Sequence, residues 1–350
     1  MSPKISICLP NLNNRRFLPE RLQTIFEQTF NDWELVVVDN HSDDGAWEYL
    51  SEQAKREPRM RLSQAPRAGM YANWNNCLRL ARGEYVYIAT SDDTLRPDCL
   101  EKMVAALEQH PECGLCQCGL KVIDEQGEPH AWMRWENFAF GRFAAAWLQE
   151  PQIRRAPLDG LLHFVLQTVY TSITQLLIRR RVFDRVGLFE TCWGSVGDFE
   201  WGMRTGLLED CVFIPGKLAT WRVHDQQATT TTESIATRRK LQDMARVAFE
   251  RAQRVPGNKL AGLPANRLFQ FYREQIVLFG LREAANRPRQ LAFLLGEMLR
   301  GNSGALEYLF SRRRAQLFQE PAQFDALNAL LKEHNIPAPL FLASATPGRF

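Results

Sequence analysis

Residues 33–56, "WELVVVDNHSDDGAWEYLSEQAKR", place a continuous apolar run, a polar loop and a helical pattern in direct succession. An apolar run such as "WELVVVD" (33–39) is typical of a strand that is buried on both faces of a parallel sheet. The stretch after it, "DDGAWEYLSEQAKR" (43–56), has the spacing of a helix. A strand that leads into a helix is part of a βαβ unit, so this stretch predicts an α/β sheet.

The same alternation runs through the first 125 residues. The other strand patterns are "KISICLP" (4–10), "MRLSQ" (60–64) and "GEYVYIAT" (83–90). The other helix patterns are "FLPERLQTIFEQT" (17–29), "YANWNNCLRLAR" (71–82) and "RPDCLEKMVAALEQH" (96–110). This order predicts a doubly wound, mostly parallel sheet, in which ligands bind beyond the carboxyl ends of the strands.

The pattern changes twice after this region. Residues 124–160 lose the alternation and predict a long excursion over the sheet, before core elements resume up to "LATWRVH" (218–224). After the polar link "QQATTTTES" (226–234) strand patterns stop and apolar residues recur at helical spacing. They are Phe269, Tyr272, Ile276 and Phe279, then Leu291, Leu294, Leu295, Met298 and Leu299. We therefore expect an α/β domain over 1–230 and a helical region over 231–350.

Composition indicates a globular protein, with 45% hydrophobic and 24% charged residues among 350. The opening apolar run is too short for a signal peptide, and no segment approaches the length of a membrane span. The one cluster among eight cysteines, "CGLCQC" (113–118), lacks a second pair at zinc spacing. Buried cysteines on a strand of a reduced, cytoplasmic protein are the expectation.

Charge is unevenly distributed along the chain. Residues 1–232 hold 25 Lys and Arg against 30 Asp and Glu, net −5, whereas residues 233–350 hold 18 against 10, net +8. A basic helical region is ordinarily a solvated surface. There are three alternatives. The region could contact a phosphorylated acceptor molecule, a second subunit in a homo-oligomer, or, as a peripheral protein, the anionic inner face of the membrane. No nucleic-acid-binding motif is present, which argues against DNA or RNA as a partner.

Two adjacent acids, Asp92 and Asp93, follow the strand pattern at 83–90. Their mutual repulsion is costly unless a cation or a hydrogen-bond network absorbs the charge. The alternative is that one of them caps the helix that starts near Pro97. The spacing alone leaves both interpretations open.

Five motifs occur in a characteristic order: "ISICLPNLNN" (5–14), "EQTFNDWELVVVDNHSDDG" (27–45), "GMYANWNNCLRLARGEYVYIATSDDTLRP" (69–97), "GDFEWGMR" (197–204) and "WRVH" (221–224). Together they resemble the inverting family 2 glycosyltransferases of the GT-A fold, over about the first 225 residues. The resemblance implies a nucleotide-sugar donor, a divalent metal (Mn²⁺ or Mg²⁺) and a glycan or glycolipid acceptor in cell-surface polysaccharide biosynthesis. The chain lacks the Gln-x-x-Arg-Trp element of processive synthases, which favours transfer of a single sugar.

The resemblance also implies roles for the metal and for catalysis. Asp92 corresponds to the metal-facing aspartate, and Asp93 helps to hold its loop or contacts the donor sugar. His224 corresponds to a position that meets the metal or the diphosphate. Asp198 corresponds to the general base that activates the acceptor hydroxyl, with Glu200 as the alternative. The residues alone also allow Asp198 to be a first-turn helix acid and His224 to be structural.

For the nucleotide, the resemblance implies a base pocket lined by Pro10, Asn11 and Asn13. In it Asp39 would accept the imide N–H of uracil or thymine, so the donor would be a UDP- or dTDP-sugar. Arg67 would reach the base or the diphosphate. From the residues alone, Asp39 could instead cap the following helix, and Arg67 could be a solvated loop arginine.

Three departures from the family pattern leave other functions open. Thr90 stands in place of the first acid of Asp-x-Asp, Asn40 in place of a second aspartate, and Gly197 in place of a glutamate. They are compatible with a catalytically degenerate carbohydrate-binding or scaffold protein. A sugar-nucleotide pyrophosphorylase would need a glycine-rich loop after the first strand, and "PNLNNRRF" (10–17) has no glycine.

Overall fold

A computed structural model describes residues 2–166, 169–225, 227, 234–284, 286–310 and 320–342. Of the polar link expected at 226–234, residue 226 and residues 228–233 lie outside these ranges. Within the described ranges, no helix combines the length and hydropathy needed to cross a bilayer.

The core is a nine-stranded sheet with the strand order β3-β2-β1-β4-β7-β5-β8-β6-β9. The strands are β1 Ile5–Asn11, β2 Trp33–Asp39, β3 Met60–Gln64, β4 Tyr85–Ile88, β5 Leu115–Ile123, β6 Gln152–Arg154, β7 Leu176–Arg179, β8 Cys211–Arg222 and β9 Leu340–Phe341. Strands β3, β2, β1 and β4 pair in parallel, as do β5 and β8. β7 lies antiparallel between β4 and β5. The mostly parallel α/β sheet predicted from the alternation is confirmed.

Thirteen helices are described. They are α1 Leu18–Phe26, α2 Ala46–Arg56, α3 Met70–Leu80, α4 Cys99–Gln109, α5 Ala139–Phe143, α6 Leu158–Leu166, α7 Arg180–Val186, α8 Gly197–Leu208, α9 Ile235–Arg254, α10 Ala265–Glu283, α11 Arg287–Leu299, α12 Ser303–Phe310 and α13 Glu320–Glu333. Every residue of β1 and β2 is buried, because helices cover both faces of the parallel strands. The cysteines at 113, 116 and 118 are buried, the first just before β5 and the other two within it.

Two short strands depart from the sequence-based expectation. The excursion at 124–160 contributes β6, which pairs antiparallel with β8. The C-terminal region, expected to be only helical, contributes β9, which pairs antiparallel with β6. Strands of three and two residues are too short to show a period in the sequence, so only the tertiary pairing reveals them.

The C-terminal helices share the main hydrophobic core. Met244 and Phe249 of α9, and Leu268 and Tyr272 of α10, are buried in the same cluster as the sheet residues. A small second cluster joins α10, α11 and α12 through Val277, Leu294 and Ala305. Helices α11 and α12 are therefore packed on α10 through a cluster separate from the main core.

Candidate active site

The carboxyl ends of β1 and β2 form the first part of the candidate site. Asn11 and Asp39 are register partners at these ends, and Asn11 Nδ2 donates to Asp39 Oδ2 at 2.8 Å. The backbone N–H and the hydroxyl of Ser42 donate to Asp39 Oδ1 and Oδ2 at 2.9 and 2.6 Å. Asp39 has no exposed surface. Its carboxylate shapes the loop after β2, and its contact with a base stays a prediction.

The alternative role of Asp39 as a helix cap is wrong. Helix α2 begins at Ala46, and its N-cap residue is Gly45, which has φ of 82° and no side chain to bond with. The carboxylate of Asp39 instead accepts a hydrogen bond from the backbone N–H of Ser42, three residues further along the loop.

Asn13 and Arg67 form hydrogen bonds with the loop after β2. The side chain of Asn13 exchanges two hydrogen bonds with Asp43, at 2.9 and 3.0 Å. Arg67 Nη2 donates to Asp43 Oδ2 at 2.8 Å, and Arg67 Nε donates to the carbonyl of Asn40 at 3.1 Å. The hydrogen bond from Arg67, followed by that from Asn13, lowers the pKa of Asp43. Arg67 is therefore held by hydrogen bonds to the loop after β2. The cluster combines three separate parts of the chain: Asn13, the loop at 40–43 and Arg67.

Pro10 is buried within β1, opposite Val38 of β2. It lies one residue before Asn11, so it borders the predicted base pocket. The structure thus brings Pro10, Asn11, Asn13, Asp39 and Arg67 together at one edge, as the resemblance implies.

The two adjacent acids after β4 have different environments. Asp93 is buried, and its carboxylate accepts from the Thr90 hydroxyl and, at 2.7 Å, from the backbone N–H of Arg222. Burial, and then the neighbouring charge of Asp92, raise the pKa of Asp93 to about 7. The capping interpretation is wrong, since α4 begins at Cys99 after Asp98. Asp93 instead ties the loop after β4 to the end of β8.

Asp92 is partly exposed and faces His224. Its side chain is 21% exposed, and its Oδ2 lies 3.1 Å from His224 Nε2. His224 Nδ1 is 3.4 Å from Arg16 Nη2. Because a guanidinium can only donate, this contact is a hydrogen bond only in the tautomer that carries its ring proton on Nε2, where the proton faces Asp92. The guanidinium of Arg222 fastens the loop by donating to the backbone carbonyl of Asp92 at 2.6 Å.

Asp92 and His224 are the predicted residues that could hold a metal. Within the described residues, no group of three or more His, Cys, Asp or Glu side chains is arranged to hold an ion. Mg²⁺ and Mn²⁺ accept one or two protein ligands when waters and substrate phosphates complete the shell. A partly exposed carboxylate oxygen beside an imidazole nitrogen fits such an ion, provided that a diphosphate supplies the remaining ligands.

Asp198 lies in the first turn of α8 and faces Tyr71 of α3. The Tyr71 hydroxyl donates to Asp198 Oδ1 at 2.7 Å, and the backbone N–H of Phe199 donates to the same atom at 3.0 Å. Burial raises the pKa of Asp198, while the hydrogen bond from Tyr71 lowers it. A carboxylate with a raised pKa is a better proton acceptor near neutral pH. Oδ1 is thereby held by two donors.

Helix α3 links Asp198 to the ends of the strands. Two residues after Tyr71, the side chain of Asn73 donates to the carbonyls of Val38 at 3.0 Å and Asn11 at 3.4 Å. On the other side, Asn14 Nδ2 donates to Ser91 Oγ at 2.7 Å, which joins the loop after β1 to the loop of Asp92. All of the predicted site residues are therefore assembled along the carboxyl edge of the sheet.

Glu200, the alternative to Asp198, has a different function. It is fully buried, and both of its oxygens bind the guanidinium of Arg204 at 2.9 and 2.8 Å. Arg204 also donates to the backbone carbonyls of Val186 and Leu188. Two residues along a helix separate side-chain directions widely, so Glu200 points into the core while Asp198 faces Tyr71.

We expect Glu200→Ala to destabilise the protein by about 3–5 kcal/mol, because it leaves the Arg204 charge buried without its partner. The free energy of unfolding in urea measures this. Glu200→Met combined with Arg204→Met should recover part of the loss, since no unpaired charge remains. A loss below about 1 kcal/mol for Glu200→Ala would contradict the buried pair.

Several site residues were missed from the sequence. Tyr71, Ser42 and Arg16 lie inside or beside the quoted motifs, but nothing in their spacing indicates which distant residue each one contacts. Tyr71 and Asp198 are 127 positions apart, and Asp92 and His224 are 132 apart. The one available signal was the "WRVH" motif, whose Arg222 holds the loop of both acids.

Three comparisons with known proteins bear on this site. A family model described as "Glycosyl transferase family 2" matches residues 6–184, more than half of the chain. The chain is 28% identical over 248 residues to the uncharacterized protein MT1568 of Mycobacterium tuberculosis (strain CDC 1551 / Oshkosh). These residues cover 70% of this chain and 74% of that protein. The chain is 34% identical over 127 residues to the putative glycosyltransferase EpsE of Bacillus subtilis (strain 168). These residues cover 36% of this chain and 46% of EpsE.

The fold has a solved counterpart. The crystal structure of S. aureus TarS 1-349 in complex with UDP-GlcNAc matches with a TM-score of 0.61 at 16% identity, over 95% of this chain and 91% of that one. At this identity the likeness shows a shared fold, and the family model shows the relationship. The chain belongs to glycosyl transferase family 2 and is a glycosyltransferase.

Proposed function

We propose that the protein is a metal-dependent, inverting glycosyltransferase. It moves one sugar from a UDP- or dTDP-sugar to a hydroxyl of a glycan or glycolipid acceptor in cell-surface polysaccharide biosynthesis. The observation that carries the proposal is the joint placement of the Asp92–His224 pair and of Asp198 at the carboxyl edge of one sheet. TarS is bound to UDP-GlcNAc in its crystal structure, so the shared fold can accommodate such a donor.

The nucleotide would lie over the ends of β1 and β2. Pro10, Asn11 and Asn13 would border the base, and Arg67 would lie beside the base or the diphosphate. Asp39, which we propose accepts the imide N–H of uracil or thymine, would also position Asn11 and Ser42 through its buried carboxylate. Hydrogen bonds among Asn11, Asp39 and Ser42 would hold this loop in place.

Asp92 Oδ2 and His224 Nε2 would hold the divalent cation. The cation would offset the negative charge that develops on the leaving diphosphate. His224 must then present Nε2 without its proton, so the other tautomer is required and Nδ1 can no longer accept from Arg16. Asp93 would keep the loop in place through Thr90 and Arg222, which gives Thr90 a structural role where an acid would otherwise stand.

Asp198 would take the proton from the acceptor hydroxyl. The hydroxyl oxygen attacks the anomeric carbon from the side opposite the diphosphate, so the configuration at that carbon inverts. Tyr71 and the N–H of Phe199 hold Oδ1, which leaves Oδ2 as the atom that accepts the proton. The raised pKa of Asp198 suits this role, because a proton acceptor works best when its pKa approaches the working pH.

Residues 1–230 would carry donor binding and catalysis, and residues 231–350 would serve acceptor, membrane-surface or oligomer contacts. Cytoplasmic location stays a prediction from the sequence.

Calorimetric titration with UDP, dTDP, GDP and CMP, each with and without Mn²⁺, tests the donor class. We expect UDP or dTDP to bind in a Mn²⁺-dependent manner, followed by sugar transfer from the matching donor. Binding of GDP or CMP in preference would overturn the donor assignment. The absence of any nucleotide binding would instead favour a scaffold or carbohydrate-binding protein, the alternative that the substitutions at Thr90, Asn40 and Gly197 suggest.

Tyr71→Phe should move the acidic limb of the pH profile of kcat/KM to higher pH. The hydrogen bond from Tyr71 stabilises the Asp198 carboxylate, so its removal raises the pKa of Asp198 further, and the base is protonated over a wider acidic range. We expect activity at pH well above this limb to fall much less than activity below it. An unchanged limb with a uniformly lower rate would show that Asp198 is not the group that titrates.

A further inference from the structure

The outward side of α11 is apolar where a helix on a folded protein ordinarily presents polar residues. Five residues on this side are exposed, and we call them the outer face of α11: Pro288, Leu291, Ala292, Leu295 and Leu299. Their spacing places them in one stripe of about 100° along the helix. Leu291 is 52% exposed, Leu295 49% and Leu299 90%.

The opposite side of α11 shows that this exposure does not come from a loosely placed helix. Leu294 is buried in the cluster with Val277 and Ala305, and Glu297 is buried beside it. The next helix also exposes apolar side chains, since Leu306 and Phe310 of α12 are 43% and 80% exposed. Exposed apolar surface with polar residues at its rim marks an interaction site.

The charged side chains exposed on α11 and at its C-cap are all positive. Arg287, Arg289 and Arg300 are exposed and flank the stripe. The acid of α11, Glu297, is withdrawn from the surface, where its carboxylate accepts from Arg239 and from Asn302 Nδ2. The described residues of α11 therefore expose two cations, Arg287 and Arg289, and no acid, while Arg300, the residue after the helix, has its Nη1 3.4 Å from Glu297 Oε1. The sequence adds Arg312, Arg313 and Arg314 directly after α12.

We propose that the outer face of α11 binds the surface of an anionic lipid bilayer. Leucine side chains at the centre of the stripe would enter the boundary between headgroups and acyl chains, and the flanking arginines would reach the lipid phosphates. At 13 residues, or about 20 Å, α11 is too short to span a bilayer and suits a position in the plane of its surface.

A second copy of the chain fits this surface less well than a bilayer does. A two-fold contact between two outer faces would bring the arginines of both copies together, with no exposed acid on α11 to pair with them. Anionic headgroups supply the complementary charge. The proposal does not depend on the sugar-transfer reaction, because it concerns binding alone.

Flotation of the full chain with vesicles tests the proposal. We expect binding to vesicles of phosphatidylcholine with about 30% phosphatidylglycerol, and weaker binding to phosphatidylcholine alone. Leu295→Glu combined with Leu299→Glu should reduce the partition coefficient at least about tenfold. Arg287→Gln combined with Arg289→Gln should reduce it by less and should remove most of its dependence on salt.

Leu80→Glu is the matched control, because Leu80 is a partly exposed leucine at the end of α3, away from α11. It should bind vesicles as the unmodified protein does. Circular dichroism of each variant establishes that it is folded. The proposal is overturned if the unmodified chain binds no vesicle, or if the Leu295 and Leu299 variant binds equally well. It is also overturned if that variant changes only the oligomeric state, measured by light scattering, because the face would then join two copies.

Discussion

Replacement of Asp198 by Asn should lower kcat about 10²- to 10⁴-fold, the range that a positioned general base contributes. Asn keeps the size of the side chain and can still accept the hydrogen bond from Tyr71, so the helix start should be preserved. What is lost is the second carboxylate oxygen as a proton acceptor. The affinity for nucleotide should not change, because Asp198 has no place in the loops that surround the diphosphate.

The control for this experiment is Asp184→Asn. Asp184 is an exposed aspartate of α7 that takes no part in the candidate site, so the same chemical change there should leave kcat within about twofold. Single-turnover measurement of product, with calorimetry of UDP binding on the same samples, separates catalysis from binding. If Asp198→Asn retains most of the turnover, another group takes the proton and our catalytic assignment is wrong.

Replacement of Asp92 by Asn should weaken Mn²⁺-dependent nucleotide binding by at least about 10- to 100-fold, since substitutions even in the outer shell of a metal cost this much. The loop itself should remain, because Arg222 holds the backbone carbonyl of Asp92 rather than its side chain. Titration of UDP into each protein, with and without Mn²⁺, measures the effect. Without metal, the variant and the unmodified protein should bind alike.

This comparison also separates two explanations of the adjacent acids. If Asp92 holds the cation, the difference between the two proteins should appear only when Mn²⁺ is present. If Asp92 has only a structural role with His224, Asp92→Asn should change the unfolding free energy and leave the metal dependence of binding intact. Asp184→Asn again serves as the control for a lost surface charge.

Much of the first half of the fold was predictable from local patterns. The patterns at 33–39 and 60–64 match β2 and β3 to the residue. Strands buried on both faces need continuous apolar runs, and the helices that cover them need one apolar side, so both leave a strong periodic trace. The position of the candidate site followed too, because parallel strands end at a common edge.

The C-terminal helices show where this reasoning stops. Leu291, Leu294, Leu295, Met298 and Leu299 together predicted a helix, without indicating which of its sides would be covered. In the structure Leu294 is buried, while Leu291, Leu295 and Leu299 face outward. A helix that is apolar nearly all round has no side that its own pattern marks as internal. Only its contacts with α10 and α12 decide which side is covered.

By itself, the sequence determined the class of the fold, the order of the elements from β1 to α4 and the family, because these depend on periodicities and motifs within short stretches. The tertiary structure alone decided that Asp92 faces His224 while Asp93 is buried, and that Asp198 faces Tyr71 while Glu200 is paired with Arg204. Each of these acids has a near neighbour of the same type in the sequence. Asp92, Asp93 and Asp198 differ in burial and in a partner that lies more than a hundred positions away in the sequence. Glu200 differs from Asp198 because it lies on the side of the helix that meets the core. These properties set the charge and the reach of a carboxylate, and they exist only once the chain has folded.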